Sequence, residues 1–217
     1  MKVGSKLHGK QRSGAVLALL LGGACTAAAS ENNHYFASIH LDDDKIGQVH
    51  YTVQYDDQGE IEELKTRASV SFLGIEVFHF SQHLHEVWRD GELQDLTGHT
   101  DDDGDVYDTS LERKPSEYDG ALNGKPLVLP HDAFPTSLWH YRITEKSLLF
   151  DLKDLRLLKV EVAESADTLS VHGETVAADR FDFTGDWQGT VWFDQDRNFL
   201  RAEYQVENRA VVVTLDP

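Results

Sequence analysis

Sulfur is nearly absent from this chain. One cysteine, Cys25, and one methionine, Met1, stand among 217 residues. A single cysteine excludes an internal disulfide framework and any zinc or iron–sulfur site built on several thiolates. Cations are also scarce. Twenty Lys and Arg face 38 Asp and Glu, for a net charge of −18. That balance argues against nucleic-acid binding through the backbone, which needs clustered Lys and Arg. Five prolines are too few for a collagen-like chain, and 40% hydrophobic residues are too many for a disordered one. No run of about 18 apolar residues occurs, so no segment reads as a transmembrane helix. There is no Gly-x-Ser-x-Gly elbow, no P-loop and no Gly-x-Gly-x-x-Gly. Nucleophilic and nucleotide chemistry therefore have no support in the sequence.

What is present begins with an export signal. Lys2, Lys6, Lys10 and Arg12 precede an apolar run, Ala15 to Leu21, and no acid occurs among the first 29 residues. Small residues follow, and Ala27-Ala28-Ala29 suits A-x-A cleavage. The expectation is a signal peptide over 1–29, a single antiparallel β domain over 30–217, and a periplasmic location. Leu21-Gly22-Gly23-Ala24-Cys25 loosely matches a lipobox, so lipid anchoring through Cys25 is the alternative. Removing the leader discards four cations and no acid, which takes the charge from −18 to −22. It also discards the cysteine and the methionine, and leaves a sulfur-free protein.

Period-two alternation dominates the rest and argues for half-buried antiparallel strands. Val49, Tyr51, Val53 and Tyr55 alternate with His50, Thr52 and Gln54. Leu64, Ala68, Val70 and Phe72 share one parity, as do Phe78, Phe80, Leu84 and Trp88. Ala177, Phe181, Phe183 and Trp187 repeat the pattern, and Leu200 to Val206 and Val211 to Leu215 continue it. Turn sequences such as Leu73-Gly74, Asp90-Gly91 and Asp103-Gly104 separate the runs and imply sequential hairpins. The stretch Gly120–His140 differs. Prolines gather in and just before it (Pro115, Pro126, Pro130, Pro135), and it reads as a long excursion or lid. Ser137–Tyr141 suits one helical turn capped by Ser137. The predicted fold is all-β: a single large, strongly curved antiparallel sheet of roughly ten to twelve strands, open or partly closed and barrel-like, with one Pro-containing excursion.

Several segments, in order, carry a resemblance. They are Ile46-Gly47 with His50 nearby, Phe72-Leu73-Gly74-Ile75-Glu76-Val77-Phe78, and Glu86-Val87-Trp88-Arg89-Asp90-Gly91-Glu92-Leu93. Thr100 to Gly104, Pro135-Thr136-Ser137-Leu138-Trp139, Ala178 to Asp186 and Trp192-Phe193-Asp194 follow. Together they resemble a family of exported bacterial proteins known only as a domain of unknown function (number sixty-one thirty-four). His50 sits one place later than the family's usual Ile-Gly-x-His. The resemblance implies an exported all-β protein and no particular activity.

Glu86 is the candidate catalytic carboxylate. Its parity places it on the apolar face with Phe78, Phe80, Leu84 and Trp88, where a carboxylate must be paired, hydrogen-bonded or protonated. The plainer alternative is a structural ion pair, with Arg180 as partner. On the opposite face His83 and His85 lie about 7 Å apart and with His99 form a candidate metal set; a solvated polar face is the alternative. Asp101-Asp102-Asp103-Gly104-Asp105 lacks the first carboxylate and the bidentate Glu of an EF-hand, and so reads as a tight turn. Phe78, Phe80, Glu86, Trp88, Trp139 and Trp187 are the candidate ligand-binding residues, since a curved sheet without a packing helix must fill its hollow. No cofactor is expected. The leading functional expectation is non-enzymatic binding of an apolar, amphipathic or lipid-like ligand in that hollow. The alternatives are a hydrolase-like enzyme using Glu86 with a nearby His or Asp, and an envelope scaffold. A polar cluster beside Glu86 with room for water favours the enzyme.

Overall fold

Alternating β-branched and aromatic residues bounded by Asp-Gly and Asn-Gly turns produce a meander. The computed structural model describes residues 32–171, 173–206 and 208–217. The expected signal peptide, 1–29, and with it Cys25, lie outside the described residues. Eight strands come first: β1 (Asn32–Leu41), β2 (Asp44–Asp56), β3 (Gly59–Phe72), β4 (Ile75–Arg89), β5 (Glu92–Asp102), β6 (Asp105–Arg113), β7 (Glu117–Leu122) and β8 (Lys125–Pro130). Seven more follow: β9 (Phe134–Pro135), β10 (Leu148–Phe150), β11 (Leu157–Val171), β12 (Glu174–Gly185), β13 (Gly189–Phe193), β14 (Phe199–Val206) and β15 (Arg209–Leu215).

All fifteen join one sheet, in the order β8 back to β1, then β15 back to β9. The chain order is therefore preserved around the sheet, with β1 and β15 side by side in the middle and β8 and β9 at the two ends. Only β9 and β10 pair in parallel. The ends do not hydrogen-bond to each other, so the sheet is barrel-like without closing.

The turns obey backbone sterics. Leu73-Gly74, Asp90-Gly91, Asp103-Gly104 and Asn123-Gly124 each have positive φ at both residues, the type I′ geometry whose twist matches flanking strands. At Asp103-Gly104 the Asp101 carboxylate also accepts the Gly104 amide at 2.8 Å. The acidic run is thus a hairpin turn.

Fifteen strands exceed the expected ten to twelve. β9 and β10 are two and three residues long, too short to show alternation. Much of the expected excursion is itself sheet, since Glu117–Leu122 and Lys125–Pro130 form a hairpin on β6. The chain turns inward after Pro130. Ile143, Leu149 and Phe150 are fully buried, and Ala133, Phe134, Leu152 and Leu155 nearly so. This inserted segment joins Leu84, Trp88, Leu96 and Leu111 of the inner face in one buried core. The helical turn falls at Tyr141–Glu145, four residues later than expected, with His140 before it and no side-chain cap. Ser137 is buried, and its carbonyl receives the His140 amide. The His140 imidazole is engaged elsewhere.

Candidate functional site: a carboxylate–histidine floor under an aromatic pocket

β3 and β4 run in register through their central parts and place Glu62 directly opposite Glu86. Both point inward; Glu62 is 2% exposed and Glu86 4%. Their neighbours Glu63 and His85 oppose each other on the outer face. The inserted segment supplies the third member. His140 Nε2 donates to Glu62 Oε2 at 2.9 Å. Trp88 Nε1 donates to Glu86 Oε2 at 2.9 Å, and the Trp88 ring lies 4.1 Å from the His140 ring. Candidate ligand atoms of Glu62, Glu86 and His140 all lie within 4.8 Å of one another.

Two carboxylates confined in one dry site disfavour double ionisation. Burial, reinforced by the Glu62 charge, pushes Glu86 up to about 7; His140 and the Trp88 N–H oppose that rise. Burial alone would lower His140, but its bond to Glu62 and the charges of Glu62, Glu86 and Glu60 outweigh it and raise the imidazole. Burial first, and then the Glu62 and Glu86 charges, hold the Tyr51 phenol well above its ordinary value. Burial and the Glu62 charge also raise Glu60. Glu62 Oε1 is buried with no hydrogen-bond partner.

The trio is not sealed. Glu62 and His140 form part of the lining of a half-open pocket of about 160 Å³. Its walls are aromatic. Tyr51 stacks on Trp139 at 4.7 Å, Tyr35 lies 6.4 Å from the same indole, and Phe199 lies 4.8 Å from it. Glu60, Arg197 and Asn198 add polar lining, with the Arg197 guanidinium 4.7 Å above the Tyr141 ring. The volume falls below the roughly 300 Å³ at which drug-sized sites begin, so the pocket suits a small molecule.

The structure distributes the sequence-derived ligand residues among several places. Glu86 and Trp88 lie at the buried floor, and Trp139 forms a pocket wall. Phe78 and Phe80 are half-buried on the far part of β4; Phe80 lines a separate open groove with Lys45, Arg67 and His79. Eight residues of extended strand separate Phe78 from Glu86, roughly 26 Å. Shared parity fixes a face, and a large sheet has room for several sites on it. Trp187 packs on Phe183 at 5.0 Å and Tyr204 at 6.4 Å, away from the pocket.

Arg180 does not meet Glu86; it pairs with Asp182 at 2.8 Å. The histidine set lies on the outer face. His83 bonds Glu63 at 2.8 Å and His99 bonds Asp108 at 2.7 Å. His83 and His99 face each other in register, whereas His85 faces Thr97. Among the described residues, none of the three belongs to a set of three candidate ligands whose donor atoms all lie within 4.8 Å of one another. Sequence reasoning missed Glu62, His140, Tyr35 and Tyr51 as site residues. Glu62 shares the parity of Leu64 and Ala68 and was accessible to the rule that singled out Glu86. His140, 78 residues from Glu62 in the chain, left no such signal.

No curated protein matches the chain. A crystal structure titled as a β-barrel-like protein of domain of unknown function DUF1849, from Brucella abortus, is similar in fold, with a TM-score of 0.56. The similarity covers 86% of this chain and 95% of that one at 8% identity, so it speaks to fold alone. The family model of domain of unknown function DUF6134 matches residues 38–216, and the chain belongs to that family.

Proposed function

We propose that this protein binds a small amphipathic ligand in the aromatic pocket, with its polar end on the Glu62–His140 floor and its apolar part between Tyr51, Trp139 and Tyr35. The observation that carries this reading is the union of stacked aromatic walls with a buried, hydrogen-bonded polar floor in one half-open cavity. Aromatic walls supply apolar contact at low entropic cost, and a few convergent polar groups fix orientation. The pocket volume of about 160 Å³ favours a small ligand over a whole lipid chain. The leader read from the sequence supports action outside the cytoplasm, in the periplasm. Intact-mass measurement of protein from its native cells tests that location. A chain starting at Ser30 is expected, and a lipid adduct on Cys25 would replace the soluble form with an anchored one.

Native mass spectrometry of protein purified mildly from those cells tests the ligand. A bound organic mass is expected in the natural protein and not in Trp139→Ala. No bound mass, together with no change in tryptophan fluorescence across a panel of small amphiphiles, would overturn the proposal.

A second reading, a hydrolase-like enzyme, is favoured by one observation. Glu86 lies beside His140 under the pocket, and burial pushes its carboxyl up to about 7, which suits general acid–base exchange near neutrality. Turnover of a pocket ligand that is lost in Glu86→Gln, with binding retained, would favour catalysis over carriage.

A further inference from the structure

The trio under the pocket has the construction of a cation site. Glu62 and Glu86 are held opposite each other by the ladder of β3 and β4, and His140 enters from a third element. One donor atom from each lies within 4.8 Å of the others. A first-row metal with bonds of about 2.0–2.2 Å holds its donors roughly 3 Å apart, a gap that glutamate rotamers can close. A second, independent observation points to a missing partner. Glu62 is 2% exposed, yet its Oε1 makes no hydrogen bond of normal geometry, although the Tyr51 phenol and the Glu60 carboxyl both interact with Glu62. An unmet buried carboxylate oxygen is costly, and a bound cation satisfies it.

Charge and chemistry narrow the ion. Metal binding displaces the proton that Glu86 holds and leaves His140 as a neutral imidazole, and the two carboxylate charges then match a divalent ion. A mixed nitrogen and oxygen set without thiolate suits Mn²⁺, Fe²⁺, Co²⁺ or Zn²⁺. The Trp88 indole already orients Glu86 by hydrogen bonding, as outer partners of metal ligands do. Glu62 and His140 border the pocket, so one coordination position would face it.

We propose that Glu62, Glu86 and His140 bind one divalent first-row transition-metal ion at the floor of the aromatic pocket. This goes beyond the ligand-binding reading, because the ion binds whether or not an organic molecule is present.

The test uses the full chain, stripped with a chelator and titrated with Co²⁺ or Mn²⁺ alone. One Co²⁺ per chain with visible ligand-field bands is expected. Glu62→Gln and His140→Gln weaken its binding at least about 10-fold, while the double variant His83→Ala/His99→Ala leaves it unchanged. Mn²⁺ broadens the Trp88 indole N–H resonance of the natural protein before those of the other tryptophans. That measurement stands even where a variant fails to fold. Absence of both bands and broadening at millimolar metal would overturn the proposal. So would binding that disappears in the outer-face double variant while the Trp88 resonance stays sharp.

Discussion

Two carboxylate–histidine clusters lie back to back on β3 and β4. On the outer face Glu63 meets His83 and Lys65, all substantially exposed. On the inner face Glu62 and Glu86 meet His140, with both carboxylates almost wholly buried. Glu62 and Glu63 are adjacent in the chain, and so are His85 and Glu86. Residue types are alike on the two sides, but their surroundings are not. Lys65 above all draws Glu63 below its ordinary value, as expected of a solvated ion pair. Burial drives Glu86 the other way, to about 7. A shift of one residue in parity exchanges water for a dry interior, and that exchange sets the chemistry.

The sharpest way to break the comparison is to remove one partner on each side. His140→Ala leaves Glu62 buried without its donor and should cost about 3–5 kcal/mol. His83→Ala on the outer face should cost under about 1 kcal/mol, because exposed pairs are screened. Urea unfolding at neutral pH measures both, and similar losses would show that burial does not separate the clusters.

The next largest effect is in pH. Glu86 has a folded value above its unfolded one, so the folded state holds the extra proton between about pH 4.5 and 7. Its contribution to stability is fully present below that window and is lost as pH rises through it. The raised His140 acts in the same direction, its contribution fading as pH rises through its folded value. For Glu86 the change is on the order of 3 kcal/mol. Glu86→Gln should flatten this part of the pH–stability curve and leave the variant more stable than the natural protein near pH 8. A curve unchanged by the substitution would place the titration elsewhere.

A smaller effect sharpens the role of Trp88. Trp88→Phe keeps the ring and removes the donor to Glu86 Oε2, at a cost of about 1–3 kcal/mol when Glu86 is ionised. The loss should shrink below pH 5, where Glu86 is protonated, and denaturation at the two pH values checks it. The smallest effect is expected at Asp108, an exposed partner of His99. Asp108→Asn should change stability by less than about 0.5 kcal/mol.

Parity carried the sequence reading a long way. Alternation in Phe78–Trp88 placed Glu86 inside and His83 and His85 outside, because a strand has only two faces. Asp-Gly and Leu-Gly steps marked the hairpins, because positive φ at both central residues is tolerated by few sequences. The same parity applies to Glu62, although its neighbours Ile61 and Glu63 obscured the apolar face. Short strands such as Phe134–Pro135 and Leu148–Phe150 escaped, since two or three residues cannot show a period. Of the partners the sequence offers Glu86, a nearby histidine is present as His140 and Arg180 is not. Arg180 has the complementary charge, but it lies on β12 and pairs with Asp182.

By itself the sequence determined the sheet, its hairpin order and which side of β4 each residue occupies. These follow from local sterics and from the period of two. Long-range packing alone turns the chain after Pro130 inward, brings His140 over Glu62 and stacks Trp139 on Tyr51 to form a pocket. Those contacts join residues far apart in the chain. They depend on how a fifteen-stranded sheet curves around its own inserted segment, a property of the whole packed chain that no local pattern encodes.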